Sequence, residues 1–310
     1  MWRGALFTQP LVFFLMMLAL SALHGTSRAA AQSAPDSITA AILTDRKDTE
    51  DWLRSKPTSY LAAISRVDFE QRPTLTLGSA PGNDMRLRDS TIAARHLAVT
   101  AVGDSFRVEA IDPDARFTAG GAESRAATLP PSTIGVGRYQ LRLSHQRFPA
   151  LIVFDPRSPR FAEFKGLRYF PVDLAYRLVL PFKPNPRPDT MVIISTRGNQ
   201  RRAVVAGWFE FKLRGRKCRL EATRLLEPGV GENDFSIFFR DATTGKDTYG
   251  VGRYVEPTRQ ADGRYVLDFN NAYNPACAFS DYYNCPIPPR GNTLAVAIRV
   301  GEMDSHYLSH

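Results

Sequence analysis

Short stretches of alternating apolar and polar residues cover most of the chain after residue 73. The first group is rich in β-branched residues, and Pro, Gly, Asp or Ser separates its members. They are TLTLG (74–78), HLAVTAV (96–102), FRVEAI (106–111), RYQLRLSH (138–145) and ALIVFD (150–155). Period-two alternation places successive side chains on opposite faces of a strand. The short, evenly spaced strands predict a β-sandwich.

A second group of alternating stretches fills the rest of the chain. Its members are YRLVLPF (176–182), TMVIIST (190–196), GWFEFKL (207–213), KCRLEATRLL (217–226), FSIFFRDAT (235–243), TYGVGRYVE (248–256), GRYVLDFN (263–270) and TLAVAIRVGE (293–302). Tight-turn residues lie between them in TTGKD (243–247) and QADGR (260–264). This meander predicts a curled antiparallel sheet or a partly closed β-barrel, which would hide the strand edges. The predicted fold class is therefore all-β.

The N-terminus has the features of a secretory signal peptide. Arg3 precedes an apolar run at 11–23, and SRAAAQ (27–32) offers a small-residue cleavage site after Ala31. The alternative is an uncleaved anchor, but the run is shorter than the roughly 20 residues that span a bilayer. We expect a secreted or periplasmic protein with no transmembrane span in the mature chain.

Helical character is confined to the region after the signal peptide. The segment TEDWLRSKPTSYLAAISR (49–66) has loosely helical spacing that Pro57 interrupts, and a polar lead-in (32–45) precedes it. The predicted domain organisation follows from these segments. It comprises a signal peptide at 1–31, a lead-in with a short helix at 32–67, a β-sandwich at 68–157, a β-barrel at 158–305 and a tail at 306–310.

The charge of the chain is basic but scattered. The formal net charge is +9, and tight basic clusters occur only at 214–219 and 197–202. Such a surface favours anionic partners, although scattered charge is more typical of solvated strands and turns. An exported chain without a recognition motif is not expected to bind nucleic acid.

The three cysteines are Cys218, Cys277 and Cys285. A disulfide between Cys277 and Cys285 could close the loop between them in an oxidising compartment. Their spacing does not match a zinc motif and no histidine lies near, so no metal site is predicted. No motif indicates a cofactor.

Polar residues concentrate around tight backbone in the second half. If their strands are neighbours in a curved sheet, Asp268, an arginine and Tyr249 could converge at one end. The candidate polar cluster is Asp173, Tyr176, Arg240, Asp241, Tyr249, Arg253, Asp268, Asn270, Tyr273, Asn274 and Glu302. It could line a pocket for a small molecule or glycan, with Tyr273, Tyr282 and Tyr283 stacking. The alternative is a buried Arg–Asp network that fixes strand register.

Two functional hypotheses follow from these residues. Nucleophile–base motifs are missing, and the second half has no histidine before His306, which favours a non-catalytic protein that binds a small molecule, a glycan or an envelope protein. The alternative is a hydrolase of an envelope polymer. It would use a carboxylate pair from Asp173, Asp241, Asp268 and Glu302.

The segment LGSAPGNDMRLRDSTIAARHLAV (77–99) resembles a forkhead-associated domain. The resemblance implies an Arg directly after the strand-ending Gly, a Ser three places before the His, and a later Asn-Gly. This chain has Ser79, Ala93 and Ala119-Gly120 there, and it keeps His96. Binding a phosphate requires charged and hydroxyl hydrogen-bond donors, which the residues at these positions do not supply together. Phosphothreonine binding is therefore not expected, and His96 is predicted to be structural.

The second half resembles the domain-of-unknown-function family 1684. The pieces that carry the resemblance are GLRYFPVDLAYR (166–177), FRDATTGKDTYGVGRY (239–254), LDFNNAYNPACAFSDYYNCPIPP (267–289) and LAVAIRVGE (294–302). Leu174 replaces a usual Pro, and RGNT (290–293) departs from the usual segment there. The resemblance implies an architecture and candidate residues, but no reaction.

Overall fold

The computed structural model of the chain describes residues 27–307, with side chains from residue 35 onward. By their contacts, residues 1–38 form one unit and residues 39–310 another, and the architecture given below is that of the larger unit. The fold is mostly β, as the sequence predicted, with several sheets. None of the sheets closes into a barrel within the described residues.

The first element is the helix α1 (Ser27–Ser55). The short helix predicted near the mature N-terminus is confirmed, although it begins before the predicted segment 49–66 and ends within that segment, at Ser55. The lead-in is itself helical, because its alanines and Leu43 are good helix formers. The helix ends before Pro57, since a proline disfavours helical backbone in the residue that precedes it. Residues 1–26 of the predicted signal peptide lie outside the described residues, and the predicted cleavage site lies within α1.

Eleven strands lie between residues 63 and 154. They are β1 (Ala63–Asp68), β2 (Thr74–Gly78), β3 (Met85–Arg86), β4 (Leu97–Val102), β5 (Ser105–Ala110), β6 (Phe117–Ala119), β7 (Ala122–Ser124), β8 (Ala126–Leu129), β9 (Ser132–Val136), β10 (Tyr139–His145) and β11 (Pro149–Phe154).

These strands form two sheets, in the orders β1-β11-β10-β9-β6-β7 and β3-β2-β4-β5-β8. In β10 each second residue is buried, as the alternation predicted. One buried cluster draws side chains from both sheets, including Leu77 and Phe106 from one and Leu141 and Val153 from the other. The two sheets thus enclose a shared core, which is the predicted sandwich.

Nine strands lie between residues 177 and 268. They are β12 (Arg177–Leu180), β13 (Lys183–Pro184), β14 (Thr190–Ile194), β15 (Gln200–Leu213), β16 (Arg216–Leu225), β17 (Ile237–Phe239), β18 (Arg253–Val255), β19 (Thr258–Arg259) and β20 (Tyr265–Asp268). The remaining helical elements of the described chain are short: α2 (Arg160–Glu163) and the 3₁₀ turns Tyr60–Ala62, Leu174–Tyr176, Phe269–Asn271, Ala276–Ala278 and Arg290–Asn292.

The longest hairpin of this half pairs β15 with β16, and Leu213 lies opposite Arg216. The two residues between them, Arg214 and Gly215, have φ of 48° and 78°. Positive φ at both positions is the geometry of a type I′ turn, whose twist matches that of paired strands. The other sheets are small: β12-β20-β19 and the pair β17-β18, while β13 and β14 flank β15.

The last predicted strand, 293–302, is not a strand in the structure. Its alternation is real, because Leu294, Val296 and Ile298 are buried. Several of its carbonyls instead accept hydrogen bonds from side chains, as described below, so they are not available to a neighbouring strand. The predicted strand at 248–256 is also shortened, to β18.

A mixed cluster joins the two halves of the larger unit. It includes Leu53 of α1 and Phe154 of β11, together with Tyr254, Phe279 and Cys285. The boundary between 68–157 and 158–305 remains a prediction, because the two regions share this buried cluster. No helix within residues 27–307 has the length and apolar character required to cross a bilayer.

We predict that Gly78→Ala destabilises the protein by about 1–3 kcal/mol, the usual range for overpacking a tight site. An added Cβ at Gly78 would lie 2.3 Å from the carbonyl oxygen of Ala94 and 2.8 Å from Nδ2 of Asn83. Urea unfolding measures the change. Gly250→Ala is the matched control, because nothing lies within 4 Å of its added Cβ. Equal stability of the two variants would contradict the clash.

Candidate functional site

The most deeply buried ion pair of the predicted cluster joins Arg253 and Asp241. Nη2 of Arg253 lies 2.7 Å from Oδ2 of Asp241, and their side chains are 1% and 0% exposed. The other Asp241 oxygen accepts bonds from the backbone N–H and the hydroxyl of Thr243. Burial lowers the pKa of Arg253, and the Asp241 carboxylate opposes that effect. Both charges are therefore compensated inside the protein.

The remaining donors of Arg253 bind the backbone of the segment 298–302. Nη1 donates to the carbonyls of Val300 (2.6 Å) and Glu302 (3.2 Å), and Nη2 donates to that of Ile298 (2.8 Å). An arginine side chain offers five N–H donors in a planar fork, so it can hold several carbonyls at once. These bonds hold the segment 298–302 in place, and the predicted last strand pairs with other segments only through isolated bridges at Thr293 and Glu302.

A second group forms around Asp268. Its Oδ1 accepts from the backbone N–H and from Nδ2 of Asn270, and its Oδ2 lies 3.5 Å from Nε of Arg177. The side-chain amide of Asn270 also accepts a hydrogen bond from the backbone N–H of Asp173 and donates one to the carbonyl of Asp173. Asp173 itself is exposed and caps the turn at Leu174–Tyr176 by accepting from the N–H of Ala175. The group ties two 3₁₀ turns together.

Glu302 belongs to a third group. Its two carboxylate oxygens accept from the backbone N–H and from Nδ2 of Asn274, each at 3.0 Å, and both residues are buried. The hydroxyl of Tyr273, the residue before Asn274, donates a hydrogen bond to the carboxylate of Glu256 at 2.5 Å. The contact fixes the start of the loop that carries Cys277 and Cys285.

The structure thus does not gather the predicted cluster at one end of a sheet. Asp241, Asp268 and Glu302 are each engaged by N–H donors or an arginine, and no contact of the described residues joins two of these carboxylates. Arg240 bonds the carbonyl of Val251, and Tyr176 receives a bond from Arg214. These contacts hold the backbone in place.

Tyr249 lies apart from these groups and lines a cleft of about 1050 Å³. Four separate segments line it: the β14–β15 turn, the glycine-rich loop 245–251, the loop 277–287 and the tail at 304–306. The lining residues are Thr196, Arg197, Gly245, Lys246, Tyr249, Gly250, Val251, Cys277, Asp281, Tyr283, Ile287, Asp304 and His306. Its size is in the range of pockets that hold small molecules.

The cleft carries charges of both signs. Arg197 is held in place by the carboxylate of Asp68 and the carbonyl of Asp281. His306 lies 3.4 Å from the carboxylate of Asp304. Lys246 is exposed and makes no ion pair with any residue in the described part of the chain. Its ammonium group is the cation of the cleft that is available to a ligand.

The buried wall of the cleft is aromatic and contains a thiol. Tyr283 is 4% exposed, and its hydroxyl has no hydrogen-bond partner among residues 35–307. Burial raises its pKa. Tyr249 is also buried, and its hydroxyl lies 3.3 Å from the carbonyl and 3.7 Å from Sγ of Cys277. The wall therefore presents aromatic rings and a thiol to whatever occupies the cleft.

Cys277 and Cys285 are free thiols in the structure, so the predicted disulfide is not formed there. The loop is held by other means: the backbone N–H of Cys277 donates to Sγ of Cys285 at 3.3 Å, and backbone bonds link Cys285 to Thr196. Within the described residues, no group of three His, Cys, Asp or Glu side chains is arranged to hold a metal ion.

Sequence reasoning found Tyr249 and Tyr283 but missed the charged residues of the cleft. Arg197 and Lys246 stand in segments that the sequence marked only as basic or turn-forming, RGNQRR and TTGKD. Asp281 lies inside the Pro- and Tyr-rich loop, and Asp304 follows the last predicted strand. A basic residue beside glycine in a turn was the available signal.

The structure defines a mostly β protein with a polar cleft in its C-terminal half. Residues 162–303 match the model of a family described as "Protein of unknown function (DUF1684)", which confirms the resemblance predicted for this part of the chain. A search of the curated proteins gave no match. The solution NMR structure of an uncharacterized protein of Haloarcula marismortui is 35% identical, covering 47% of this chain and 80% of that one, with a TM-score of 0.39.

We predict that Arg253→Met destabilises the protein by about 3–5 kcal/mol, because it leaves the Asp241 carboxylate buried and unpaired. Urea unfolding gives the value. Arg264→Met is the control for loss of an arginine, since Arg264 pairs with Asp262 at the surface, where both side chains are about half exposed. The control variant should keep the stability of the parent protein. If the two variants lose the same stability, the network does not have the role described.

Proposed function

We propose that the chain is a binding protein rather than a hydrolase, and that its cleft holds a small polar molecule bearing a phosphate or carboxylate group. The observation that carries this proposal is the exposed ammonium group of Lys246, which lines the cleft and makes no ion pair within the described residues. A ligand whose anionic group meets this ammonium gains a charge-assisted hydrogen bond.

The charges of the cleft support an anionic ligand with further hydroxyl groups. The unpaired ammonium of Lys246 can meet the anionic group, and Arg197 adds positive charge nearby. The carboxylates of Asp281 and Asp304 accept bonds from hydroxyl groups. Gly245 and Gly250 have open space where a side chain would stand, so a ligand can approach the backbone closely. Phosphorylated sugars and sugar acids of envelope polymers combine these features.

The contacts of the acids favour binding over hydrolysis. A carboxylate pair that acts on a glycoside must face the same substrate from two sides. Asp241 and Glu302 are instead almost fully buried against an arginine and an asparagine. A binding role requires only the residues that line the cleft.

We predict that Lys246→Gln and Asp281→Asn weaken ligand binding. The probes are a sugar phosphate, a uronic acid and a neutral glycan fragment, scored by the rise in melting temperature of the full chain, because a native-state ligand stabilises by mass action. Loss of one charge-assisted hydrogen bond should weaken the affinity of Lys246→Gln by about tenfold or more. Both variants should be as stable as the parent in the absence of ligand, since both side chains are exposed.

Lys217→Gln is the matched control, because Lys217 is an exposed lysine on β16 that does not line the cleft. It should retain the full ligand-induced shift. A shift that survives in both cleft variants, or one that Lys217→Gln abolishes equally, would show that the ligand binds elsewhere. No shift with any probe would favour another protein as the partner.

We further propose that residues 68–157 are a forkhead-associated-like scaffold without phosphothreonine binding. The bonds of His96 support a structural role: Nδ1 lies 3.2 Å from the backbone N of Ala93, and Nε2 lies 2.9 Å from the carbonyl of Arg116. Asn83 likewise donates to backbone carbonyls, including that of Ala94. Both side chains hold turns together.

We also propose that the chain is exported, on the basis of its N-terminal apolar run and small-residue site. The expected mature N-terminus is Gln32, and intact mass with N-terminal sequencing of protein from the secreted or periplasmic fraction measures it. A chain that begins at Met1 and stays in the membrane fraction would contradict export with cleavage.

A further inference from the structure

The two cysteines of the loop 277–287 occupy unequal positions at the cleft. Cys277 lines the cleft and is 4% exposed, whereas Cys285 is 0% exposed and does not line it. Sγ of Cys285 lies 3.3 Å from the backbone N of Cys277. That nitrogen is three covalent bonds from the sulfur of Cys277, so side-chain rotation can bring the two sulfurs together.

Hydrogen bonds distinguish the two thiols chemically. The hydroxyl of Tyr249 donates to Sγ of Cys277 at 3.7 Å. The thiol of Cys285, followed by the hydroxyls of Tyr249 and Thr196, holds the pKa of Cys277 below its ordinary value against the opposing effect of burial. Burial raises the pKa of Cys285 well above its ordinary value. These contacts therefore favour loss of the first proton from Cys277 rather than from Cys285.

We propose that Cys277 is a nucleophilic thiol of the cleft and that Cys285 resolves its oxidation, so that the pair reduces a small hydroperoxide. A hydrogen-bonded thiol at the wall of a cleft, with a second thiol beside it, has the elements of a redox-active cysteine pair. The proposal goes beyond ligand binding by the cleft and stands independently of it.

The first step oxidises Cys277. Its thiolate attacks the terminal oxygen of the hydroperoxide, an S–O bond forms and the O–O bond breaks. The alkoxide leaves and takes up the proton that the Cys277 thiol had released, giving the alcohol, or water when the oxidant is hydrogen peroxide. Sulfur is oxidised to sulfenic acid and the peroxide is reduced.

The second step joins the two cysteines. The sulfur of Cys285 attacks the sulfenic sulfur of Cys277, an S–S bond forms and the S–O bond breaks. The hydroxide leaves with the proton of the Cys285 thiol as water. A dithiol reductant restores both thiols by exchange.

The test treats the reduced full-length protein with hydrogen peroxide and maps its cysteines by peptide mass spectrometry without reduction. Of the three cysteines in the chain, Cys277 and Cys285 should be lost together as one intramolecular cross-link. Cys218 is the internal control: it lies on β16, and burial raises its pKa, so it should stay reduced. Oxidation of Cys218 ahead of the pair, or a pair that stays reduced, would overturn the proposal.

Variants test the separate roles. Cys285→Ser should accumulate a sulfenic acid at Cys277 that a 1,3-diketone traps, and Cys277→Ser should leave Cys285 reduced. Cys218→Ser should consume peroxide like the parent protein. Where a variant does not fold, the cysteine map of the parent protein alone decides between the outcomes.

Tyr249→Phe tests the hydrogen bond to the nucleophile. Loss of that hydrogen bond raises the pKa of Cys277 and lowers its thiolate fraction by about tenfold. The nucleophilicity of the remaining thiolate rises about threefold. Peroxide consumption should therefore slow about threefold at neutral pH and recover at a pH above the new pKa. An unchanged rate at both pH values would show that Tyr249 does not act on the thiol.

Discussion

The C-terminal half depends on the ion pair and the hydrogen bonds that the buried guanidinium group of Arg253 makes. A buried arginine without partners would be prohibitively unstable, and here one carboxylate and three backbone carbonyls compensate it. The same bonds hold the segment 298–302 against the protein without a strand ladder. This segment ends at Glu302, whose carboxylate binds Asn274 at the start of the loop that forms one wall of the cleft. The buried charge therefore positions a surface feature through the backbone.

Most of the fold could be predicted from local pattern alone. Alternation located β10, β15 and β16, because each places a regular series of side chains into a core. The family resemblance over 162–303 was also available, since its motifs are ordered and specific. The same alternation misled at 293–302, where the burial is alternate but the backbone bonds several separate segments and the side chain of Arg253 instead of one neighbouring strand. Periodicity reports which side chains are buried and carries no information about where the carbonyls bond.

The site was harder to predict than the fold for a physical reason. The sequence placed Asp241 in a candidate polar cluster and left a buried Arg–Asp network open as an alternative, but which arginine pairs with which acid depends on contacts between distant segments. The cleft itself is built from four loops that are separated by up to about a hundred residues, from Arg197 to His306. Turn residues such as Lys246 look like ordinary solvated loop positions until the fold brings their neighbours together.

The contact between Tyr60 and Tyr283 has a consequence for how the molecule can be divided. Tyr60 follows α1, and its ring meets that of Tyr283 edge to face at 5.1 Å and stacks on Phe279 at 5.8 Å. These rings lie in the cluster that also contains Leu53 and Phe154. The wall of the cleft is therefore supported from behind by residues that precede the region matched by the family. A fragment limited to 162–303 would contain every residue that lines the cleft except Asp304 and His306. It would lack Tyr60, Leu53 and Phe154, which belong to the cluster against which the wall of the cleft is packed. The cleft and the N-terminal sandwich are therefore packed against each other through one buried cluster.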